Sequence, residues 1–270
     1  MKIDTSRFLI EPGANVDLAG LATSVDDGYS ENDIEDAADD LNRQLEDLQE
    51  LLYAQSKHRI LIALQAIDAG GKDGTIRHVF DGTNPQGVKV ASFKKPTGVE
   101  LGHDYLWRAH HHVPADGEIA IFNRSHYEDV LVVRVHDLVP EERWRRRYGH
   151  INAFEELLVD EGTTIVKFFL HISKGEQKRR FQSRLDKAHK NWKFDRADLA
   201  ERERWNDYQA AFTEMLERTS QRRAPWYVVP ADNKDYRNLV ITQVLVETLK
   251  GLDMQWPSAE EDLDGIVIPD

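Results

Sequence analysis

The sequence predicts an α/β fold with a central parallel sheet covered by helices on both faces. Three observations predict it. Short apolar runs recur along the chain, stretches with helical spacing separate them, and the runs are too uniformly apolar for strands with one wet face. Strands alternating with helices form βαβ units, whose crossovers are right-handed. At 270 residues the chain is one large domain or two small ones.

Taken in order, Leu41, Leu45, Leu48 and Leu52 recur at helical spacing among charged residues, which predicts an amphipathic helix over 36–57. Residues 59–67 follow as a buried strand ending in glycines. Further strands are expected at 88–93, 118–122, 164–172 and 226–229. Helices are expected at 74–80, 125–138, 140–160, 175–188, 198–217 and 235–251. Residues 175–188 and 198–217 have one apolar stripe each, and a basic connection joins them, as in a hairpin standing off the sheet.

The formal charge is −13, from 35 basic and 48 acidic side chains. Spread evenly, that excess would disfavour nucleic acid and anionic membranes as partners. It is not spread evenly. Residues 1–40 hold eleven acids against Lys2 and Arg7, and residues 258–270 hold five acids and no base. These ends read as solvated or partner-covering arms, an acidic extension over 1–35 and an acidic tail over 258–270, on either side of a main domain over 36–257. Residues 174–204, in contrast, carry eleven bases against six acids. The absence of cysteine excludes disulfides and thiolate metal sites. No apolar run is long enough to span a membrane and the start lacks a secretory pattern, so a soluble, cytoplasmic protein is expected.

Directly after the first strand of the sheet stands Ala66-Ile67-Asp68-Ala69-Gly70-Gly71-Lys72-Asp73-Gly74. Against G-x-x-x-x-G-K-[ST] it keeps the Gly-Lys pair and spacer, with Ala66 for the first glycine and Asp73 for the hydroxyl. Small residues let successive N–H groups turn inward, a helix N-terminus follows, and Lys72 adds a mobile charge. Ala69 to Gly74 are therefore the expected phosphate cradle. Without the hydroxyl, a carboxylate must hold Mg²⁺, and Asp68 is placed to do so. The 118–122 strand ends in Asn123-Arg124-Ser125. Asn123 offers a neutral oxygen where an acid usually faces the metal, Arg124 a bidentate fork for a phosphoryl group, and Ser125 an N-cap.

At these residues the chain resembles polyphosphate kinase family 2. The resemblance is carried by 66–74, by Gly-Thr-Asn-Pro-Gln-Gly-Val (82–88), Phe-Lys-Lys-Pro-Thr (93–97), His-Asp-Tyr-Leu-Trp-Arg (103–108), the block 122–135 and Ala-Pro-Trp-Tyr-Val-Val-Pro-Ala-Asp (224–232). The block 122–135 resembles the branch that accepts nucleoside monophosphates as well as diphosphates. The resemblance implies a thymidylate-kinase-like phosphate-loop fold with a helical lid at about 174–208. It also implies reversible phosphoryl transfer from inorganic polyphosphate to AMP or ADP, giving ADP or ATP, with Mg²⁺ or alternatively Mn²⁺, in a homo-oligomer (dimer or tetramer). Asp68, Lys72, Arg124 and Arg184 take the catalytic roles, with Asp68 and Asn123 on the metal. Arg179, Arg180, Lys187 and Lys193 extend the phosphate track, and Arg180 and Arg184 share a helix face at i and i+4. For the nucleotide, the expectation is Asn84, Pro85, Asn123, Glu128, Asp129 and Arg134, although Glu128 and Asp129 would equally serve as helix-start acids. Two other readings remain: an ATP-dependent kinase, and a polyphosphate-binding protein without catalysis.

His110-His111-His112 is discounted as a metal site, because consecutive side chains diverge. Arg143 to Arg147 form a second basic cluster, either an extension of the track or a helix surface balanced by Glu141 and Glu142.

Overall fold

The computed structural model describes residues 3–259 and 266–269, so most of the acidic segment 258–270 lies outside the described residues. In chain order the elements are β1 (Leu9–Ile10), α1 (Glu31–Gln55), β2 (Arg59–Gln65), α2 (Lys72–Val79), β3 (Val88–Ser92), α3 (Gly98–Leu101), α4 (Trp107–His110) and β4 (Ile119–Asn123). Then come α5 (Val132–Val135), α6 (Glu141–Asp160), β5 (Thr163–His171), α7 (Lys174–Asp186), α8 (Ala197–Glu203), α9 (Trp205–Thr219), β6 (Trp226–Pro230) and α10 (Lys234–Lys250). The sheet order is β1-β6-β5-β2-β4-β3, and every pair is parallel except β1 with β6.

Alternation along β2 divides the core. Ile60, Ile62 and Leu64 share a cluster with Leu45 and Leu52 of α1 and Ile241 and Val244 of α10. Leu61 instead joins Ala120, Phe122 and Ile165 against Phe154 and Leu158 of α6. Helices thus cover both faces, and β2 runs between β4 and β5 with its C-terminal end at the phosphate loop.

Three expectations need correction. The first 35 residues are not a solvated extension: Ile3, Phe8, Val16 and Leu18 are buried, β1 pairs with β6, and the Ile3 N–H donates to Gln243 Oε1 at 3.0 Å. Charge counting overlooked these scattered apolar anchors. The expected helix 125–138 is a 3₁₀ turn over His126–Asp129 followed by the single-turn α5, because the backbone leaves helical geometry at Val130 and Leu131 between them. The expected helix 198–217 breaks at Arg204 into α8 and α9.

Candidate active site

The site grows from the C-terminal end of β2. Gly71 caps α2 at φ +106° and Ala69 sits at φ +63°, so the loop makes left-handed steps that point its amides inward. Gly70 must stay bare, because a Cβ there would meet Ala66 Cβ at 2.4 Å. The Lys72 ammonium donates to Ala66 O at 3.1 Å and lies half-buried over the loop. Burial, helped by Arg124, pushes it below the usual lysine range.

β4 delivers the opposite wall. Arg124, at φ +58°, turns its guanidinium back so that Nη2 meets Asp68 Oδ1 at 3.0 Å. Burial works against its charge, but Glu128 and Asp68 outweigh it and raise Arg124 further. The Asn123 amide donates to Asp73 Oδ1 at 2.6 Å, which leaves Asn123 Oδ1 for another contact. Asp68, Asp73 and Asn123 line the same cleft with hard oxygen atoms, the chemistry Mg²⁺ prefers.

α7 leans onto the loop from the third side. Gln177 Nε2 donates to Asp68 O at 2.9 Å, and Arg180 Nη1 to Ala69 O and Gly70 O at 3.0 and 2.8 Å. Arg180 Nε is also paired with the buried Glu176 at 2.7 Å. Arg180 therefore braces the loop, whereas Arg179 is 71% exposed. Arg184 donates to Lys193 O at 3.0 Å and to Asp198 Oδ2 at 3.2 Å, which ties α7 to the return of the hairpin.

Together these elements enclose a cleft of about 840 Å³, lined by twelve cationic and four acidic side chains. Of the residues singled out in the sequence, Asp68 to Gly74, Asn123, Arg124, Arg179, Arg180, Arg184 and Lys193 line it. A smaller pocket of about 180 Å³ adjoins it across Asp68 and Arg124, walled by Ile67, Leu131, Val132, Tyr208 and Phe212. Its carboxylates are Asp68, Glu128 and Glu201. Glu128 lines this pocket from the first turn of the 3₁₀ segment, and burial raises it above its ordinary range against the pull of Arg124 and Lys72. Tyr208 OH donates to Glu201 Oε2 at 2.7 Å, and His136 Nε2 meets the same oxygen at 3.0 Å.

Other expected residues lie elsewhere. Asn84 and Pro85 belong to the turn before β3, at the opposite end of the strands from the loop, where the Asn84 N–H donates to Gln49 Oε1 at 2.8 Å. Asp129 accepts from Arg147 Nη1 at 2.8 Å and Arg134 donates to Glu214 Oε2 at 2.7 Å, so both are spent on packing outside the cleft. Arg147 is buried in that pair, which takes it out of any phosphate track. Lys187 is exposed and absent from the wall, because α7 has already ended and its backbone is extended. Conversely, Arg77, Lys94, Lys95, Lys190, Lys234 and Arg237 line the cleft without having been assigned to it. Position after a strand was the available signal for Lys94, Lys95 and Lys234, since the loop also follows a strand.

A family model described as polyphosphate kinase 2 matches residues 28–257. An AMP/ADP-polyphosphate phosphotransferase of Meiothermus ruber is 60% identical over 228 residues, covering 84% of this chain and 85% of that protein. An ADP-polyphosphate phosphotransferase of Rhodopseudomonas palustris is 47% identical over 270 residues, 95% of this chain and 93% of that one. Among solved structures, polyphosphate kinase 2 from Arthrobacter aurescens superposes with a TM-score of 0.90 at 43% identity, covering 94% of this chain and 92% of that one.

Proposed function

Since the chain belongs to the polyphosphate kinase 2 family, we propose that it transfers a phosphoryl group reversibly from inorganic polyphosphate to AMP and ADP, giving ADP and ATP. The observation that carries this reading is the cleft itself: a cationic excess centred on a phosphate loop, far beyond what one nucleotide needs. A linear polyanion neutralises such a wall along its length.

The chemistry is in-line displacement: the acceptor phosphate oxygen forms a bond to the donor's terminal phosphorus as the bridging oxygen of the chain leaves. The acceptor oxygen is already anionic, so no general base is needed, and catalysis consists of alignment and charge neutralisation. The loop amides and Lys72 hold the donor end, and Arg124 spans donor and acceptor. Arg184 and Lys193 close from the 174–204 hairpin, which acts as the lid and excludes water. Asp68, with Asp73 and Asn123 Oδ1 beside it, would hold Mg²⁺ or Mn²⁺. When bound, the ion supplies neutralisation and orientation of phosphate oxygens. The small pocket beyond Arg124 takes the base and ribose of the acceptor, its apolar walls against the base and Glu128 toward polar groups. We further propose a cytoplasmic homo-oligomer, dimer or tetramer; no described helix is long and apolar enough to cross a membrane.

The test is purified protein with AMP, Mg²⁺ and polyphosphate and no ATP, with ADP and ATP followed over time. Product whose formation stops on chelation of Mg²⁺ is expected. Folded protein that forms none sinks the proposal.

A further inference from the structure

The reaction needs the loop, Asp68, Arg124 and the hairpin, yet the cleft continues to α10. Lys234 and Arg237, three residues apart on its first turn, line the wall there. Arg237 is 2% exposed. Its Nε and Nη2 donate to the neighbouring Asn238 Oδ1 at 3.1 and 2.7 Å, but among the described residues Nη1 has no acceptor and no carboxylate forms an ion pair with the group. That Nη1 comes within 2.5 Å of the place a Cβ on Gly71 would occupy, and Arg180 Nη1 within 3.2 Å, so two guanidiniums converge on the phosphate loop. Burial and the neighbouring Arg180 push Arg237 down to about 10 against the pull of Asp235. A buried cation with no carboxylate in contact is costly, and an anion seated at Gly71 relieves the cost.

Across the mouth the hairpin presents Lys190. Repulsion from Lys187, with slight desolvation, and then from Lys234 and Lys193 holds it below the usual lysine range, so these ammoniums crowd one another. The opposite end of the cleft differs in its charge: there Asp73, paired with Asn123, edges the loop beside Lys94 and Lys95, which are exposed as Lys234 is, and among the described residues no buried guanidinium without a carboxylate partner, as Arg237 is, backs them.

We propose that Arg237 and Lys234, faced by Lys190, form a subsite for donor phosphates beyond the reacting one, so that a polyphosphate chain leaves the loop along the first turn of α10 and not past Lys94 and Lys95. The subsite rests on the donor reading above and extends it to a chain-length preference. Lys234 lies about 4.5 Å along the helix axis from Arg237. A short donor ends near Arg237, while only a long one reaches the Lys234–Lys190 gap.

Donor KM for tripolyphosphate and for long-chain polyphosphate, with AMP as acceptor, tests the assignment in wild type, Lys234→Ala and Lys95→Ala. Lys234→Ala is expected to raise the long-chain KM about fivefold and the tripolyphosphate KM much less. It should also lower the salt slope of long-chain binding by about one. A length-dependent loss in Lys95→Ala instead, or a Lys234→Ala variant that treats both donors alike, overturns the path. Arg237→Met should weaken both donors while leaving the unfolding temperature unchanged or higher, because it removes an uncompensated charge. A lowered unfolding temperature with donor KM unchanged would make Arg237 structural and overturn its place in the subsite. Wild-type protein that uses no polyphosphate of either length removes the donor reading itself, an outcome the wild-type arm reports separately.

Discussion

The cleft over the phosphate loop and the buried network around Lys167 handle charge by opposite rules. Lys167, in the middle of β5, is fully buried, and its ammonium donates to Glu155 at 2.6 Å, to Tyr127 OH at 2.9 Å and to Thr219 O at 2.7 Å. Glu155 also accepts from Tyr127 OH at 2.6 Å and meets His126 Nε2 at 3.1 Å. Charge there is balanced internally. In the cleft twelve cations face four acids, and the buried Arg237 has no ion-paired carboxylate among the described residues. A closed network holds the fold; an open excess holds a place for charge that arrives from outside.

Substitutions in the two regions should therefore fail in different ways. The largest effect is expected in the cleft: Asp68→Ala or Lys72→Ala should lower kcat about a thousandfold, or ~4 kcal/mol, with the unfolding transition nearly unmoved. A Lys72→Ala enzyme with wild-type rates would break the loop assignment. Lys167→Met should invert the pattern. Removing one partner of a buried pair costs about 3–5 kcal/mol in denaturant unfolding, while turnover per folded molecule stays close to wild type.

A smaller effect belongs to the lid. Arg184→Ala should raise donor KM about tenfold and move acceptor KM little. Smallest is the stability effect of Glu128→Gln. Burial raises the Glu128 carboxyl, so the folded state binds its proton more tightly than the unfolded chain does. Its charge therefore costs stability progressively as pH rises through its folded value. The variant should be slightly more stable than wild type at neutral pH, with the gain vanishing below the ordinary glutamate range, and it should bind AMP less well. If stability instead fell at neutral pH, Glu128 would belong with the closed network.

The same division explains what the sequence could reveal. The five parallel strands and the loop 66–74 are local signals: apolar runs and small residues at fixed spacing define them without knowledge of distant neighbours. β1 was missed because two residues cannot show a period, and its burial depends on pairing with β6, more than 200 positions away. Arg180 was expected on the donor track, but its contacts with Ala69 and Gly70 arise only when α7 folds over the loop. Asn84 looked suitable as a polar turn residue, and only the direction of β3 shows that this turn lies at the wrong end of the sheet. Asp129 and Arg134 were judged by charge alone, while Arg147 and Glu214, which neutralise them, sit on α6 and α9.

The central claim is that the unbalanced charge of the cleft is matched by a polyanionic donor. It is tested most directly by measuring initial rates of ADP formation from AMP with polyphosphate and, separately, with ATP as donor, over a range of salt concentrations. The account predicts efficient transfer from polyphosphate, little from ATP, and a polyphosphate KM that climbs steeply with salt while the AMP KM barely changes. ATP as the better donor, or a polyphosphate KM indifferent to salt, would contradict it.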